Sequence, residues 1–218
     1  MTPDIELALT ARAENIAIVR HALGGFADAF DVPESKLADI RLAVTEACAN
    51  VVVHTYPEGV EGPMEILASI DEDTLTVSVR DRGRATASAA STTSTTRVRL
   101  VEGPLLAPVL WRVVSMVLAR ADWPLERLDD ARLVCDALCA HAPAYAQGGR
   151  LSFSIAADES EAELRVLELV DGGAATLVKD TRLPVVGNVL ERIARSVSVE
   201  DDERGERAEL AIVLASGT

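Results

Sequence analysis

The sequence is poor in aromatic residues, in cysteine and in basic side chains. Aromatic residues make up 3% of its 218 residues, so a hydrophobic core has to be built from Ala, Val, Leu and Ile. Lys and Arg number 21 against 35 Asp and Glu, which gives a formal net charge of −14. A chain this acidic lacks the clustered positive charge that nucleic acids and anionic membrane surfaces require of a partner. We therefore expect no direct nucleic-acid partner and no membrane partner.

The chain also lacks an apolar run close to the roughly 18 residues that a membrane-spanning helix needs. Its N-terminus, Met-Thr-Pro-Asp-Ile-Glu, does not show the basic-then-apolar pattern of a signal peptide. These features predict a cytoplasmic location. The three cysteines show no Cys-x-x-Cys spacing. We interpret Cys135 and Cys139, one helical turn apart, as small core residues rather than a metal pair.

An amphipathic helix with a polar stripe is the most informative element that is present. Glu46, Asn50 and His54 follow one another at intervals of four residues and share one face of this helix. A carboxylate one turn before a carboxamide can orient a nucleophile and hold a hydrated Mg²⁺, although many solvated helix surfaces carry the same pair. Five apolar residues have core spacing on another face: Leu37, Ile40, Val44, Ala47 and Val51.

A diverged copy of this helix occurs 91 residues later. Residues 31–49 and 122–140 align without a gap, and eight of their nineteen positions are identical. The same offset aligns the alternating segment 5–9 with 96–100, a pattern typical of β-strands. Internal similarity at a fixed offset indicates a repeat of one structural unit. We therefore predict a tandem duplication.

Both copies follow one plan of a strand, two helices and a two-stranded hairpin. We call residues 1–90 the first segment and residues 91–218 the second segment, and predict one domain in each. Helices are predicted over about 13–29, 34–54, 104–119 and 125–145, and hairpin strands over 64–70, 74–80, 151–155 and 163–170. Because each strand alternates, it has one apolar face that the helices can cover. The predicted fold class is an α+β two-layer sandwich.

The two copies differ after the hairpin. The first segment continues through Asp81-Arg-Gly-Arg84 into a Ser/Thr-rich stretch, 85–95, which is typical of a linker. The second segment adds a helix at about 185–195 and strands at about 196–199 and 208–214. The first copy is thus truncated, and one edge of its sheet needs cover from the second segment or from a second chain.

The first segment resembles the RsbW-like anti-sigma-factor serine kinases, which belong to the GHKL ATPases of the Bergerat fold. The resemblance is carried by LADIRLAVTEACANVVVHTYPEG and LTVSVRDRGR and covers about residues 5–84. It implies a histidine kinase-like ATPase domain with ATP and Mg²⁺ as cofactors. It also implies a role in transcription regulation, with a sigma factor or an anti-anti-sigma protein of the STAS type as the partner.

The resemblance assigns a role to each motif residue. Glu46 is the expected catalytic residue, a general base toward water or a serine hydroxyl. Asn50 is expected to bind the cofactor through a Mg²⁺ that bridges the phosphates. Asp81 is expected to accept a hydrogen bond from the adenine amine, and Gly83 to let the backbone approach the base.

The motifs of the first segment depart from the family's pattern. Ala85 stands where the first glycine box usually ends in glycine. The second glycine box, whose backbone amides hold the phosphates at a helix N-terminus, has no counterpart in this segment. The first segment therefore carries the catalytic and adenine-binding residues without a phosphate cradle. His54 and Tyr56, at the end of the helix, are expected site neighbours.

The second segment is incomplete in a different way. Ala137 and His141 replace the Glu and the Asn of the helix. His141 is either a replacement ligand or base, or a structural residue, and the structural role is the commoner one for such a histidine. Asp171-Gly-Gly173 keeps the shape of the adenine box, whereas Pro184 and Val186 stand at the glycine positions of the second box.

Three functions agree with these motifs, and we rank them in this order. The first is an ATP-binding anti-sigma-type regulator, related to serine/threonine kinases, that controls a sigma factor through protein–protein binding. The second is a nucleotide-independent interaction module with the same kind of partner. The third is an active serine/threonine protein kinase that uses Mg-ATP. Because the family commonly dimerises, a homodimer and an internal pseudo-dimer of the two copies are both open.

Overall fold

A computed structural model describes the chain over residues 2–30, 32–56, 60–71, 74–81, 88–89, 95–183, 185–201 and 208–217. Its strands, numbered along the chain, are β1 (Ile5–Thr10), β2 (Val60–Glu61), β3 (Pro63–Asp71), β4 (Thr74–Asp81), β5 (Ser88–Ala89), β6 (Thr96–Val101), β7 (Arg150–Ala157), β8 (Glu161–Leu169), β9 (Arg182–Leu183), β10 (Gly187–Asn188), β11 (Ser196–Asp201) and β12 (Ala208–Ala215). Its helices are α1 (Asn15–Phe30), α2 (Glu34–His54), α3 (Leu106–Arg120), α4 (Leu125–His141), α5 (Gly173–Asp180) and α6 (Val189–Ile193).

One eight-stranded antiparallel sheet runs through both segments, in the order β11-β12-β8-β7-β6-β1-β3-β4. Along β1 the side chains of Ile5, Leu7 and Leu9 are buried, while those between them are partly exposed. This alternation recurs in β3, β6, β7 and β8, so one face of the sheet packs against the helices and the other carries the polar side chains. The predicted two-layer α+β sandwich is confirmed, and the duplication itself stays a prediction.

The two segments meet at the centre of the sheet. There β1 pairs with β6, and Leu7 lies directly opposite Val98. On the helical face α1 packs against α3. The approach is close, since a Cβ added at Gly25 would lie 2.5 Å from a methyl group of Val109. The sheet and the helical layer therefore continue across both segments. The predicted boundary between residues 90 and 91 lies outside the described residues.

Two predicted helices of the second segment need correction, and a third helix was missed. Helix α4 ends at His141 rather than at about 145, because Pro143 lacks a donor and the chain continues as a 3-10 turn over 142–145. The helix predicted at about 185–195 spans only Val189–Ile193. Val185 and Gly187 have φ values of 72° and 82°, which a right-handed helix cannot accommodate. Helix α5, which begins after the left-handed Gly172, was not predicted.

Of the two covers expected for the open edge of the first segment, the second segment or a second chain, the second segment does not lie at that edge. The second segment joins the sheet beside β1, on the opposite side of the first segment from β4. Among the described residues, β4 therefore pairs with β3 alone. Most of the predicted linker, 85–95, lies outside the described residues. Its described part includes β5, which pairs with β2.

In the part of the chain that the structure describes, no helix combines the length and the apolar character needed to cross a membrane.

Candidate functional site

Helix α2 carries the first two candidate residues and is held by its apolar face. Four of its side chains are buried: Leu37, Val44, Cys48 and Val51. The helix begins after Pro33, whose carbonyl accepts the first bond from the amide of Leu37 at 3.0 Å. Proline fits this position because its fixed φ and missing donor cost nothing there. Helix α2 packs against α1 on one side and against β4 beneath it. The predicted range of 34–54 is the observed one.

Glu46 and Asn50 lie on the exposed stripe of α2. Leu42 and Val53 share this stripe, because they stand one turn before Glu46 and about one turn after Asn50. Their side chains are 61% and 67% exposed, which is unusual for large apolar residues. The candidate catalytic pair therefore sits in an open, partly apolar strip rather than in a closed cavity of the described residues.

Asp81 is brought to the C-terminal end of the same helix. It is the last residue of β4 and lies opposite Met64, which is fully buried under the helices. By this register Asp81 stands on the helix-covered face of the sheet, at its rim, where its side chain is exposed. The hydroxyl of Thr55, the residue that follows the last residue of α2, donates to Oδ2 of Asp81 over 3.4 Å. The sequence interpretation missed Thr55, although its place after His54 was the available signal.

Tyr56 has a structural role at the end of α2, and its place beside the site stays a prediction. Its side chain is buried, and its hydroxyl donates to the carbonyl of Pro63 at 2.8 Å. Gly62 leaves room for the ring, since a Cβ there would lie 2.1 Å from it. This contact fixes the end of α2 to the start of β3. His54 is exposed on the last turn of α2. Gly83 and Ala85 lie outside the described residues.

The donor set fits the adenine and the metal end of an ATP site but not its phosphate end. Asp81 and Glu46 present carboxylates, and Asn50 presents a carboxamide oxygen, the hard donor type that Mg²⁺ accepts. The described residues contain no group of three His, Cys, Asp or Glu side chains placed to hold a metal ion. A Mg²⁺ at Asn50 would therefore need phosphate oxygens as further ligands. The first segment offers no second glycine box for those phosphates.

The equivalent place in the second segment is filled. The 91-residue offset aligns Ala43 and Glu46 of α2, both exposed, with Val134 and Ala137 of α4, both fully buried. The cause is packing, because α5 and α6 lie against α4. Nε2 of His141 lies 3.2 Å from the carbonyl oxygen of Arg182, in the chain that joins those two helices. This contact favours the structural interpretation of the histidine.

Two amides at the start of α6, those of Val189 and Glu191, are satisfied from within the chain. The side chain of Asn188 accepts from the amide of Glu191 at 3.1 Å and donates to the carbonyl of Val178 at 2.8 Å. A helix start that is capped by its own side chain does not offer those amides to a phosphate. Pro184 lies outside the described residues, and the carbonyl of Val186 accepts from Arg192. The second segment thus has no open counterpart of the α2 stripe in its described part.

Comparison with known proteins finds relatives of the first part of the chain. Residues 9–100 match the family described as "Histidine kinase-like ATPase domain". Similar relatives include the proteins named "Serine-protein kinase RsbW" of Bacillus mycoides (strain KBAB4) and of Bacillus cereus (strain Q1). Each is 37% identical over 75 residues, which cover 34% of this chain and 46% of the relative. The chain thus spans about half the length of the curated relatives it matches. The predicted resemblance is confirmed for this part of the chain.

Proposed function

We propose that this chain, whose first segment resembles the histidine kinase-like ATPases, binds Mg-ATP at the corner of α2 and β4 and acts as an anti-sigma-type regulator. The observation that supports the proposal is the contrast between the two segments. The first keeps Glu46 and Asn50 accessible, with Asp81 held at the end of the same helix. The second fills the equivalent place with its own C-terminal elements.

In this proposal each residue of the corner has one task. Asp81 accepts a hydrogen bond from the exocyclic amine of adenine, and Thr55 keeps its carboxylate oriented. Asn50 would hold Mg²⁺ through its carboxamide oxygen. When bound, ATP would supply the phosphoryl group and Mg²⁺ would neutralise part of the charge of the phosphates. Because the sequence of the first segment has no second glycine box, we expect weak binding with affinities nearer millimolar than micromolar.

Phosphotransfer is the less favoured extension of the same site. Glu46 would accept the proton of a partner serine hydroxyl as the serine oxygen bonds to the γ-phosphorus of ATP. The bond between that phosphorus and the bridging oxygen would break, and ADP would leave with this oxygen. Positioning and charge stabilisation account for most of the catalysis in such a transfer. A site without a phosphate cradle lacks much of both. We therefore expect binding to a partner protein to be the main activity, with a sigma factor or a STAS-type protein as the partner.

A nucleotide-independent interaction module is the second candidate function. The exposed apolar side chains of Leu42 and Val53 favour it, because a solvent-exposed apolar stripe is a common docking surface for another protein. In this case the α2 stripe itself would contact the partner. Bound nucleotide would then be irrelevant to the affinity for that partner.

Titration calorimetry with Mg-ATP and Mg-ADP tests the nucleotide site. We expect measurable heat with both, a clear loss of affinity in Asp81→Asn, and nearly unchanged binding in Glu46→Ala. Asp129→Asn, which changes an exposed carboxylate on α4, is the matched control and should bind like the wild type. The absence of heat at millimolar nucleotide would refute the nucleotide site and leave the interaction module.

Partner titrations separate the two candidate functions. Candidate sigma factors and STAS-type proteins are titrated by fluorescence anisotropy with and without Mg-ATP. A nucleotide-dependent affinity supports the ATP-binding regulator, and an affinity that ignores nucleotide supports the module. Loss of binding in Leu42→Ala, but not in Leu125→Ala, would place the partner on the α2 stripe. Leu125 suits this control because it is 76% exposed on α4.

A further inference from the structure

The guanidinium groups of two arginines meet above Gly24 of α1. A Cβ added at Gly24 would lie 3.1 Å from Nη2 of Arg41 and 3.2 Å from Nη1 of Arg112. The two nitrogens are therefore at most about 6 Å apart, a separation at which two positive groups repel each other. Arg41 comes from α2 and Arg112 from α3, the two helices that pack against α1. The missing side chain of Gly24 leaves the room in which they meet.

The neighbouring residues of α1 add to this positive charge. Arg20 and His21 precede Gly24 by about one helical turn and so lie on the same side of the helix. Partial burial lowers the pKa of His21 from its ordinary value of 6.5, and the charge of Arg112 lowers it further. The charges of Arg20 and Arg41 act in the same direction. The electrostatic potential at His21 is thus positive, although the chain as a whole has a formal net charge of −14.

The carboxylates that pair with the two arginines in the described residues compensate this charge only in part. Asp28 accepts hydrogen bonds from Nε and Nη2 of Arg112 at distances from 2.8 to 3.0 Å. Glu34 lies 3.4 Å from Nη1 of Arg41, but the Glu34 side chain is 81% exposed. An ion pair so open to water is weak. Arg41 therefore keeps most of its charge available to a further anion.

A cavity of about 410 Å³ opens beside these arginines, between α1, α3 and α4. Its lining includes His21 and Arg112 on one side and Trp111 and Arg132 on the other. Cζ of Arg132 lies 5.8 Å from the centre of the Trp111 ring, so this wall combines a positive charge with an aromatic surface. The carboxylate of Asp136 is 4.0 Å from Arg132. A cavity of this volume is typical of sites for small molecules.

The basic residues stand at counterpart positions of the two segments. His21 and Arg112 differ by 91, the offset of the sequence repeat, and so do Arg41 and Arg132. Each of the four long helices thus contributes one basic residue to the same surface. Because Arg41 and Arg112 belong to different segments, the cluster exists only where the two segments meet.

We propose that the chain binds a small phosphate-type oxyanion above Gly24, between Arg41 and Arg112. Planar guanidinium groups bind phosphate oxygens through pairs of charge-assisted hydrogen bonds. A dianion at this place offsets the repulsion between the two arginines, and an organic group attached to it extends into the cavity toward Trp111. The site differs from the proposed ATP site, because Arg41 and Glu46 are five residues apart and face different sides of α2.

NMR titration of the histidine side chains tests the site. Of the three histidines, His21 lies at the proposed site, His54 ends α2 and His141 ends α4. Sulfate is the first probe, because its two negative charges do not titrate near neutral pH, and sodium chloride of equal ionic strength is the reference. We expect sulfate to shift the His21 signals and to raise the pKa of His21, because a bound dianion opposes the field of the arginines. The signals of His54 and His141 should hardly move.

Two results of this titration would overturn the proposal. One is a His21 response to sulfate no larger than the response to chloride, up to tens of millimolar sulfate. The other is an equal shift at all three histidines, which would indicate general screening of charge rather than a bound ion.

Two single variants should change the affinity for sulfate in opposite directions. Arg41→Gln removes one guanidinium and should weaken binding about tenfold. Asp28→Asn releases Arg112 from its carboxylate and should strengthen binding severalfold. Arg97→Gln removes the same charge on the helix-free face of the sheet and should bind like the wild type. Unchanged binding in Arg41→Gln, or weaker binding in Asp28→Asn at an unchanged urea midpoint, would contradict the site.

Two further probes identify the source of the anion. Tighter binding of phenyl phosphate than of inorganic phosphate would identify a phosphate monoester whose organic group occupies the cavity beside Trp111. Equal affinities would identify free phosphate, and no binding of either probe would overturn the proposal. Asp81→Asn, which should weaken the proposed ATP site, should leave the affinity for both probes unchanged. The failure of one site can thus be distinguished from the failure of the other.

Discussion

Leu7 and Val98 lie directly opposite each other where β1 pairs with β6, and their numbers differ by 91, the offset of the sequence repeat. A residue thus meets its own counterpart, as residues do on the two-fold axis of a symmetric dimer. Helices α1 and α3, which the same offset aligns, pack over this strand pair. The arrangement favours the internal pseudo-dimer among the assemblies that the sequence left open.

This shared centre predicts that both segments unfold together. Leu7 is 2% exposed, and Leu7→Ala should lower the free energy of unfolding by about 2–5 kcal/mol. Both tryptophans, Trp111 and Trp123, lie in the second segment. Their fluorescence should nevertheless report the same shifted urea midpoint as circular dichroism of the whole chain. Leu42→Ala, at an exposed position, is the control and should change stability by less than about 0.5 kcal/mol.

Two transitions in Leu7→Ala, with the tryptophan signal unchanged from the wild type, would contradict one cooperative unit. The two segments would then be separate domains that unfold independently, on either side of the predicted boundary between residues 90 and 91.

Neighbouring glycines of α1 predict opposite effects of the same substitution. A Cβ at Gly25 would lie 2.5 Å from a side-chain atom of Val109 and 3.1 Å from its backbone nitrogen, so Gly25→Ala forces α1 and α3 apart. It should cost about 1–3 kcal/mol, as overpacking usually does. Gly24 meets only the guanidinium ends of Arg41 and Arg112. Gly24→Ala should be neutral or stabilise by up to about 1 kcal/mol. Chemical denaturation of both variants checks the difference.

The sequence predicted those parts that depend on local signals. Helix α2 was predicted because its apolar residues keep one helical period. Asp81 was placed in the same site as α2 by the resemblance alone, and its role there stays a prediction, although β4 does lie against that helix. The helix around α6 was overextended because the left-handed backbone of Val185 follows from its surroundings rather than from its residue type. The burial of Ala137 under later elements depends on contacts far apart in sequence, which periodicity does not reveal.

Reciprocal substitutions should distinguish the open stripe from its filled counterpart. Glu46 is exposed, so Glu46→Ala should change stability by no more than about 0.5 kcal/mol. Ala137 is fully buried, so Ala137→Glu should cost about 3 kcal/mol or more because a carboxylate is buried without a partner. Thermal unfolding near neutral pH measures both. If Ala137→Glu is tolerated as well as Glu46→Ala, then α5 and α6 do not close over α4 in solution.

Tyr56 should affect stability and not nucleotide affinity. Tyr56→Phe keeps the ring against Gly62 but removes the bond to the carbonyl of Pro63, which should cost about 1 kcal/mol. Tyr145→Phe removes an exposed bond to Asp180 and should cost less. Urea unfolding compares the two. A loss of Mg-ATP affinity in Tyr56→Phe at unchanged stability would show that the Tyr56 hydroxyl contributes to nucleotide binding.

The cysteines should be nearly inert until the chain unfolds. Burial raises the pKa of Cys48 to about 11 and, together with the charge of Asp136, that of Cys139 to about 12, from an ordinary value of 9.0. The neutral thiols are therefore favoured in the folded chain. The contribution of these thiols to stability is fully present below pH 9.0. It is lost as the pH rises from 9.0 through the pKa values of the folded chain, because the thiols of the unfolded chain ionise at a lower pH than those of the folded chain. Near pH 8 the thiolate fraction of Cys139 is reduced roughly a thousandfold. Iodoacetamide should thus label the native protein slowly and the urea-unfolded protein rapidly, while equal rates would show that α2 and α4 do not bury these thiols in solution.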